Sequence, residues 1–220
     1  MAKLVWDDAG KHLYETGVKM GVFYPLTAGT YPKGYVWNGL STVTESPSGA
    51  EANDQYADDI KYISIRSAEE FGATIECFTF PDEFMACDGL GTLVEGVTVG
   101  QQSRKAFGFC YRTVLGNDTE LNDYGYKLHL IYNATASPAE KEYSSINDSP
   151  EALAFSYEIT TTPINVTGFK PTAKVEVDST KVSVTGLAAL EKVLYGEEGV
   201  GGSDARLPLP DEVKTLVATV

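Results

Sequence analysis

A chain of 220 residues with 17 Lys and Arg against 31 Asp and Glu has a formal net charge of −14 at pH 7, which excludes the broad cationic face needed to grip nucleic-acid phosphates or an anionic membrane. A hydrophobic share of 43% with 11% aromatics excludes wholesale disorder and is enough for a sizeable core without staples. The three cysteines, Cys77, Cys87 and Cys110, are too few and too scattered for a disulfide framework, and read as buried thiols kept reduced in a cytoplasm.

Residues 1–34 show little periodicity and are punctuated by Pro25, Gly29, Pro32 and Gly34; they read as an extended arm with a strand-like piece at Val22–Tyr24. The opening residues lack the apolar run of a signal peptide, and no stretch reaches the length of a membrane span. Tyr35–Thr44, rich in Val, Thr and aromatics, predicts a strand. Glu45–Asp59, ESPSGAEANDQYADD, has five acidic residues and no basic one. It predicts a long polar loop, and a loop of that length inside a compact domain is more often functional than idle. Its candidate contact residues are Glu45, Ser46, Pro47, Glu51, Asp54, Tyr56, Asp58 and Asp59.

Ile60–Arg66 and Phe71–Phe80 predict two further strands, the second with Phe71, Ala73, Ile75 and Cys77 on one face. Pro81-Asp82-Glu83 suits the first turn of a short helix, with Gly89 as its stop. Three apolar faces follow at strand spacing: Phe107, Phe109, Tyr111 and Leu115; Tyr126, Leu128, Leu130 and Tyr132; Leu153, Phe155, Tyr157 and Ile159. Their opposite faces are smaller or more polar, which predicts antiparallel sheets packed face to face, or a barrel. An acidic turn carries Asp118, Glu120 and Asp123, and a second acidic connection runs over 140–151. Beyond it, Pro171–Asp178 predicts a strand. Leu187, Leu190 and Leu194 fall at helical spacing up to Gly196, and Asp211–Val217 forms a short amphipathic end. The reading is a mainly β (α+β) protein: a β domain over 1–170 and a C-terminal strand-helix extension over 171–220.

No pattern supplies chemistry. His12 and His129 sit in no metal-ligand spacing, and His129 is expected to face solvent from the polar side of its strand. Gly89-Leu90-Gly91 follows a helix rather than a strand and lacks a third glycine. The 117–123 segment misses the alternating oxygen ligands and central glycine of a calcium loop, and reads as a hairpin turn. Glu76 and Glu158 could pair as acid and base of a glycosidase, but only Trp6 and Trp37 exist to stack a sugar. No catalytic, cofactor-binding or metal residue is assigned.

Several blocks are more specific than this. They are YPKGYVWNGLSTVTESPSGAEANDQYADDIKYISIRSAEEFGATIECFTFPDEFMACDG from residue 31, VGQQSRKAFGFCYRTVLGNDTELNDYGYKLHLIYNATASPAEKEYSSINDSPEALAFSYEITTTP from residue 99, KPTAKVEVDSTK from 170 and LPLPDEV from 207. In this order they resemble the major tail proteins, or tail tube proteins, of long-tailed, non-contractile bacteriophages and prophages of Gram-positive hosts. The resemblance implies a β-sandwich or barrel of two roughly orthogonal sheets with a short flanking helix. It implies subunits made in the host bacterial cytoplasm, closing into hexameric rings that stack into the virion's tail tube. The implied partners are other copies of the chain, a tape-measure protein, a baseplate-side initiator and a tail terminator; DNA passes the lumen without adhering, and membranes and cofactors play no part. On this resemblance the 45–59 loop reaches an adjacent ring or subunit, and the region after 171 is a second candidate for such contact. The rival is a carbohydrate-binding or adhesin-like β-sandwich on a virion or cell surface. It would want exposed aromatics on a concave face, whereas most of the strand tyrosines fall on core-like faces.

Overall fold

Fourteen strands account for most of the regular structure in the computed structural model, which describes residues 4–146, 148, 152–199 and 202–218. In chain order they are β1 (Tyr14–Pro25), β2 (Tyr35–Trp37), β3 (Leu40–Glu45), β4 (Ser48–Gly49), β5 (Ala52–Ala57), β6 (Ile60–Arg66), β7 (Glu69–Glu70) and β8 (Gly72–Cys77). A 3₁₀ turn over Asp82–Ala86 separates these from β9 (Gly91–Val94), β10 (Val97–Val99), β11 (Phe107–Asn117), β12 (Leu121–Ala136), β13 (Phe155–Thr161) and β14 (Lys174–Asp178). Two helices close the chain, α1 (Val184–Tyr195) and α2 (Pro210–Val217). The protein is mainly β, built on antiparallel pairing.

Eight strands form one sheet in the order β2-β1-β11-β12-β13-β8-β3, with β14 paired to β12 off that path. The fork lies in β12. Its residues Lys127–Ile131 pair with β14, and Ala134–Ala136 pair with β13. Between these stretches the β11–β12 register slips and Asn133 takes a φ of 48°. A bulge of this kind bends a strand and raises its twist, so the sheet turns a corner and folds over itself. Asn133 is held there by its N–H donating to the Tyr31 hydroxyl and its Nδ2 donating to the Thr162 carbonyl.

The space inside the fold holds one core. Phe23, Trp37, Ile75, Phe84, Phe107, Phe109, Tyr157 and Ile159 are buried together there. Phe84, from the 3₁₀ turn, is its hub, with ring centroids 4.6 to 6.0 Å from Trp37, Tyr157, Phe107, Phe23 and Phe80. A second core lies on the outer face, where Tyr24, Cys110, Leu128, Leu130 and Tyr132 pack under Leu187, Leu190 and Leu194 of α1, with Val213 of α2. The Ser183 hydroxyl caps α1 by accepting from the Gly186 N–H at 3.1 Å, and Gly196, at φ 79°, ends it. The segment from 171 onward thus supplies β14 and both covering helices to the large sheet.

Two strands are covered on both sides, and the sequence pattern hid the first of them. Residues 1–34 are not an extended arm: β1 lies inside the sheet between β2 and β11. The second face of β11 is made of smaller residues, as expected, but it is not solvated, because Gly108 and Cys110 are as buried as Phe107 and Phe109. A strand covered on both sides loses its alternation. In β1 two register slips near Lys19 blur the pattern further. The 140–151 connection falls partly outside the described residues.

The hub makes a direct prediction. Truncating Phe84→Ala removes a ring with five aromatic neighbours and leaves a cavity, so it should cost about 3–5 kcal/mol of stability in urea unfolding. A loss under about 1 kcal/mol would show that the 3₁₀ turn is dispensable to the core.

Candidate assembly surface

Outside this sheet the chain from β3 to β8 continues as a long hairpin. Glu45 and Ala73 are the last partners in the sheet. Ser48 and Gly49 then pair with Glu70 and Glu69, and β5 pairs with β6 up to a turn at Asp58-Asp59. Both turn residues have positive φ, 51° and 64°, the signature of a type I′ turn that matches strand twist. The predicted 45–59 loop is therefore half of a two-stranded arm, and Ile60–Arg66 is its other half. The polar composition of 45–59 hid the strand because a ribbon standing in water has no buried face to mark it. At about 3.3 Å per residue, β6 alone spans roughly 23 Å.

Every residue of β6 is exposed. The arm's faces nevertheless differ. Gln55 faces Ile63 but Tyr56 faces Lys61, so Lys61 and Tyr62 together oppose one residue. The bulge resets the alternation, and Ile60, opposite Ala57, returns to the face of Ile63 and Ile65. These three isoleucines are 64%, 49% and 55% exposed. Tyr56, Tyr62 and the Asp54–Lys61 ion pair, at 2.7 Å, take the other face. Sequence reasoning named Asp54, Tyr56, Asp58 and Asp59 but missed the isoleucines, whose β-branched run reads as an ordinary buried strand.

The root of the arm is held by charge. The Glu45 carboxylate accepts from the Tyr111 hydroxyl and from Lys174 Nζ, each at 2.6 Å. Behind it lies His129, 5% exposed, its ring stacked on Tyr111 at 4.5 Å. His129 Nε2 lies 2.9 Å from Thr113 Oγ1 and 3.3 Å from Glu15, and Nδ1 is 3.6 Å from Glu45 and 3.7 Å from Glu176. Lys127 bridges Glu15 and Glu176 at 2.8 and 2.9 Å. The expectation that His129 faces solvent is wrong, since β1, β3 and β14 bring their carboxylates over the polar side of β12. Burial first, and then the Lys174 charge, push the His129 pKa down despite the three carboxylates. Glu15 and Glu176 are held below the usual carboxylate value; burial raises them, but the hydrogen bonds and charges led by Lys127 outweigh it.

The other predicted residues lie apart. Asp118 and Glu120 occupy the β11–β12 turn, and Asp123 stands in β12. The Asp118 carboxylate accepts from the Gly10 and His12 N–H groups, tying the N-terminal segment to that turn. Glu76 and Glu158 lie on adjoining strands, two residues apart in register and exposed. Among the described residues no group of three His, Cys, Asp or Glu side chains is placed to hold a metal ion.

A second exposed ribbon, absent from the sequence reading, is the β9–β10 hairpin. Val97 faces Val94 while Thr98 faces Thr92, so Leu93 is an extra residue. Leu93, Val94, Val97 and Val99 consequently share one face, 38% to 68% exposed. The signal available in sequence was Glu95-Gly96 between β-branched runs, with Gly96 at φ 80°.

No family model matches this chain and no curated protein matches it. Among solved structures it is similar to the SPP1 tail tube, at 11% identity over 74% of this chain and 77% of that one, with a TM-score of 0.41. It is similar to a chain of the anti-feeding prophage baseplate, at 9% identity over 81% of this chain and 100% of the other, TM-score 0.39. Hcp1 from Flavobacterium johnsoniae matches at 11% identity over 73% and 100%, TM-score 0.32.

The charge cluster sets a pH dependence. A histidine whose folded pKa is depressed below 6.5 binds a proton more readily when unfolded, so stability is full above that pH and falls as pH drops through it. Glu15 and Glu176, depressed below 4.5, lose their contribution at lower pH still. The urea midpoint should therefore fall between about pH 7 and pH 5, and His129→Gln should fall less over the same interval. Equal slopes for the two proteins would show that His129 carries none of the dependence.

Proposed function

We propose that this chain is a structural, non-catalytic subunit of a phage tail tube. The observation that carries the reading is the arm: a two-stranded ribbon with isoleucines on one face and tyrosines on the other, both faces exposed among the described residues. An isolated hairpin is marginal in water, and an exposed apolar patch marks a site of association. The order of the sequence blocks supports the tail-tube reading specifically. On it, copies close into hexameric rings that stack, growing around a tape-measure protein between a baseplate-side initiator and a tail terminator. The end strands β2 and β3 offer sheet edges, which neighbours in a ring can cover. The acidic excess suits a bore through which DNA slides without sticking. The arm, with Glu45 at its root and Asp58-Asp59 at its tip, reaches the adjacent ring or subunit; the segment from 171 is the second candidate for such contact.

The test removes both legs of the arm, since deleting 46–56 alone would leave β6 without its partner strand. Residues 51–67 are replaced by Asn-Gly, joining β4 to β7. The shortened protein should melt within a few degrees of its parent. In negative-stain micrographs the parent should form six-fold rings or tubes and the shortened protein none. Normal tubes without the arm would refute the assignment of the arm. A parent that stays a monodisperse monomer and binds a glycan would refute the tube.

A further inference from the structure

The arm and the β9–β10 hairpin share an unusual construction. Each is a two-stranded ribbon off the main sheet, and in each a bulge gathers aliphatic side chains onto one face. One face carries Ile60, Ile63 and Ile65, the other a leucine and three valines. Both faces are exposed in the same molecule, and packing one on the other would remove apolar surface of each from water.

Their charges are complementary in one orientation. Arg66 lies at the arm's root and Asp58-Asp59 at its tip. On the hairpin, Glu95 lies at the tip; beyond the root the chain segments stay paired, the Gln102 N–H donating to the Gly89 carbonyl and the Lys105 N–H to the Ala86 carbonyl, which puts Lys105 at the far end from Glu95. All five are exposed, and none makes an ion pair among the described residues. With the arm laid antiparallel along the hairpin, Arg66 meets Glu95 and the tip aspartates meet Lys105.

We infer that the isoleucine face of the arm docks on the apolar face of the β9–β10 hairpin of a second copy of this chain, oriented by those two charge contacts. This deepens the assembly reading by naming the surface that receives the arm. Such a contact is heterologous, the arm of one copy meeting a different patch on the next, so it repeats from copy to copy.

The experiment is disulfide trapping between full-length variants. Ile63→Cys and Val97→Cys, the first carrying a size tag, are mixed under a mild oxidant. The native thiols do not interfere, because all three are buried and burial pushes Cys87 and Cys110 up to about 12. The mixture should give a tagged–untagged heterodimer several-fold above a control pair of Ile63→Cys with Phe169→Cys, whose phenylalanine is exposed elsewhere. Adding Asp59→Lys to the first variant, or Lys105→Glu to the second, should lower the yield; adding both should restore it. A yield no greater than the control overturns the inference. If rings or tubes still form in that case, the tube reading stands and only the receiving surface is wrong. If the heterodimer forms without rings or tubes, the docking surface stands and the tube reading falls.

Discussion

Everything in this protein hangs on the β11–β12 hairpin being covered on both sides. Its inner face supplies Phe107, Phe109 and Ile131 to one core, and its outer face supplies Cys110, Leu128 and Leu130 to the other. Each fully buried side chain of this kind contributes roughly 1.5–3 kcal/mol, so one pair of strands anchors two cores at once. The slip at Asn133 is part of the same design. It lets β12 change partners from β14 to β13 without breaking the strand, and so turns a single sheet into an enclosure.

That double burial also governs what could be read in advance. Strands with one dry face were legible: Ala73, Ile75 and Cys77 alternate as expected and are buried. The helix carrying Leu187, Leu190 and Leu194 was legible too, because its cap and apolar spacing agree with each other. β1 was not, since Gly17, Met20 and two register slips break its period while neighbours on both sides hide it. His129 was misplaced for a related reason. Its face of the strand is polar in sequence, but Glu15, Glu45 and Glu176 arrive from distant strands and bury it among charges. Local pattern identifies a polar face; it cannot say that the face is roofed by other polar groups.

The arm shows the opposite limit. Its residues look like a loop followed by a core strand, because acidic and β-branched stretches are read separately. Paired, they make a ribbon whose apolar side stays exposed among the described residues. The root and the tip are therefore held differently. At the root, Glu45 is fixed by a buried hydroxyl on one carboxylate oxygen and a lysine on the other, and removing either partner would leave one of those oxygens without its donor. At the tip only the turn and the cross-strand ladder act. A rigid base with an uncommitted end is what a contact element needs, since its geometry relative to the sheet is set before its partner arrives.

The net charge narrows how such contacts can work. Two copies at −14 repel at long range, and at physiological salt that repulsion is screened within about 8 Å. Association therefore cannot draw on overall electrostatic steering, and must come from surfaces that meet inside the screening distance. The exposed aliphatic faces of the two ribbons meet that requirement, because burying them is attractive at contact and indifferent to charge beyond it. Opposite charges at the ribbon ends add orientation more than affinity. On the proposed contact the two roles divide: apolar burial supplies the attraction once the ribbons touch, and the end charges select the orientation in which they touch.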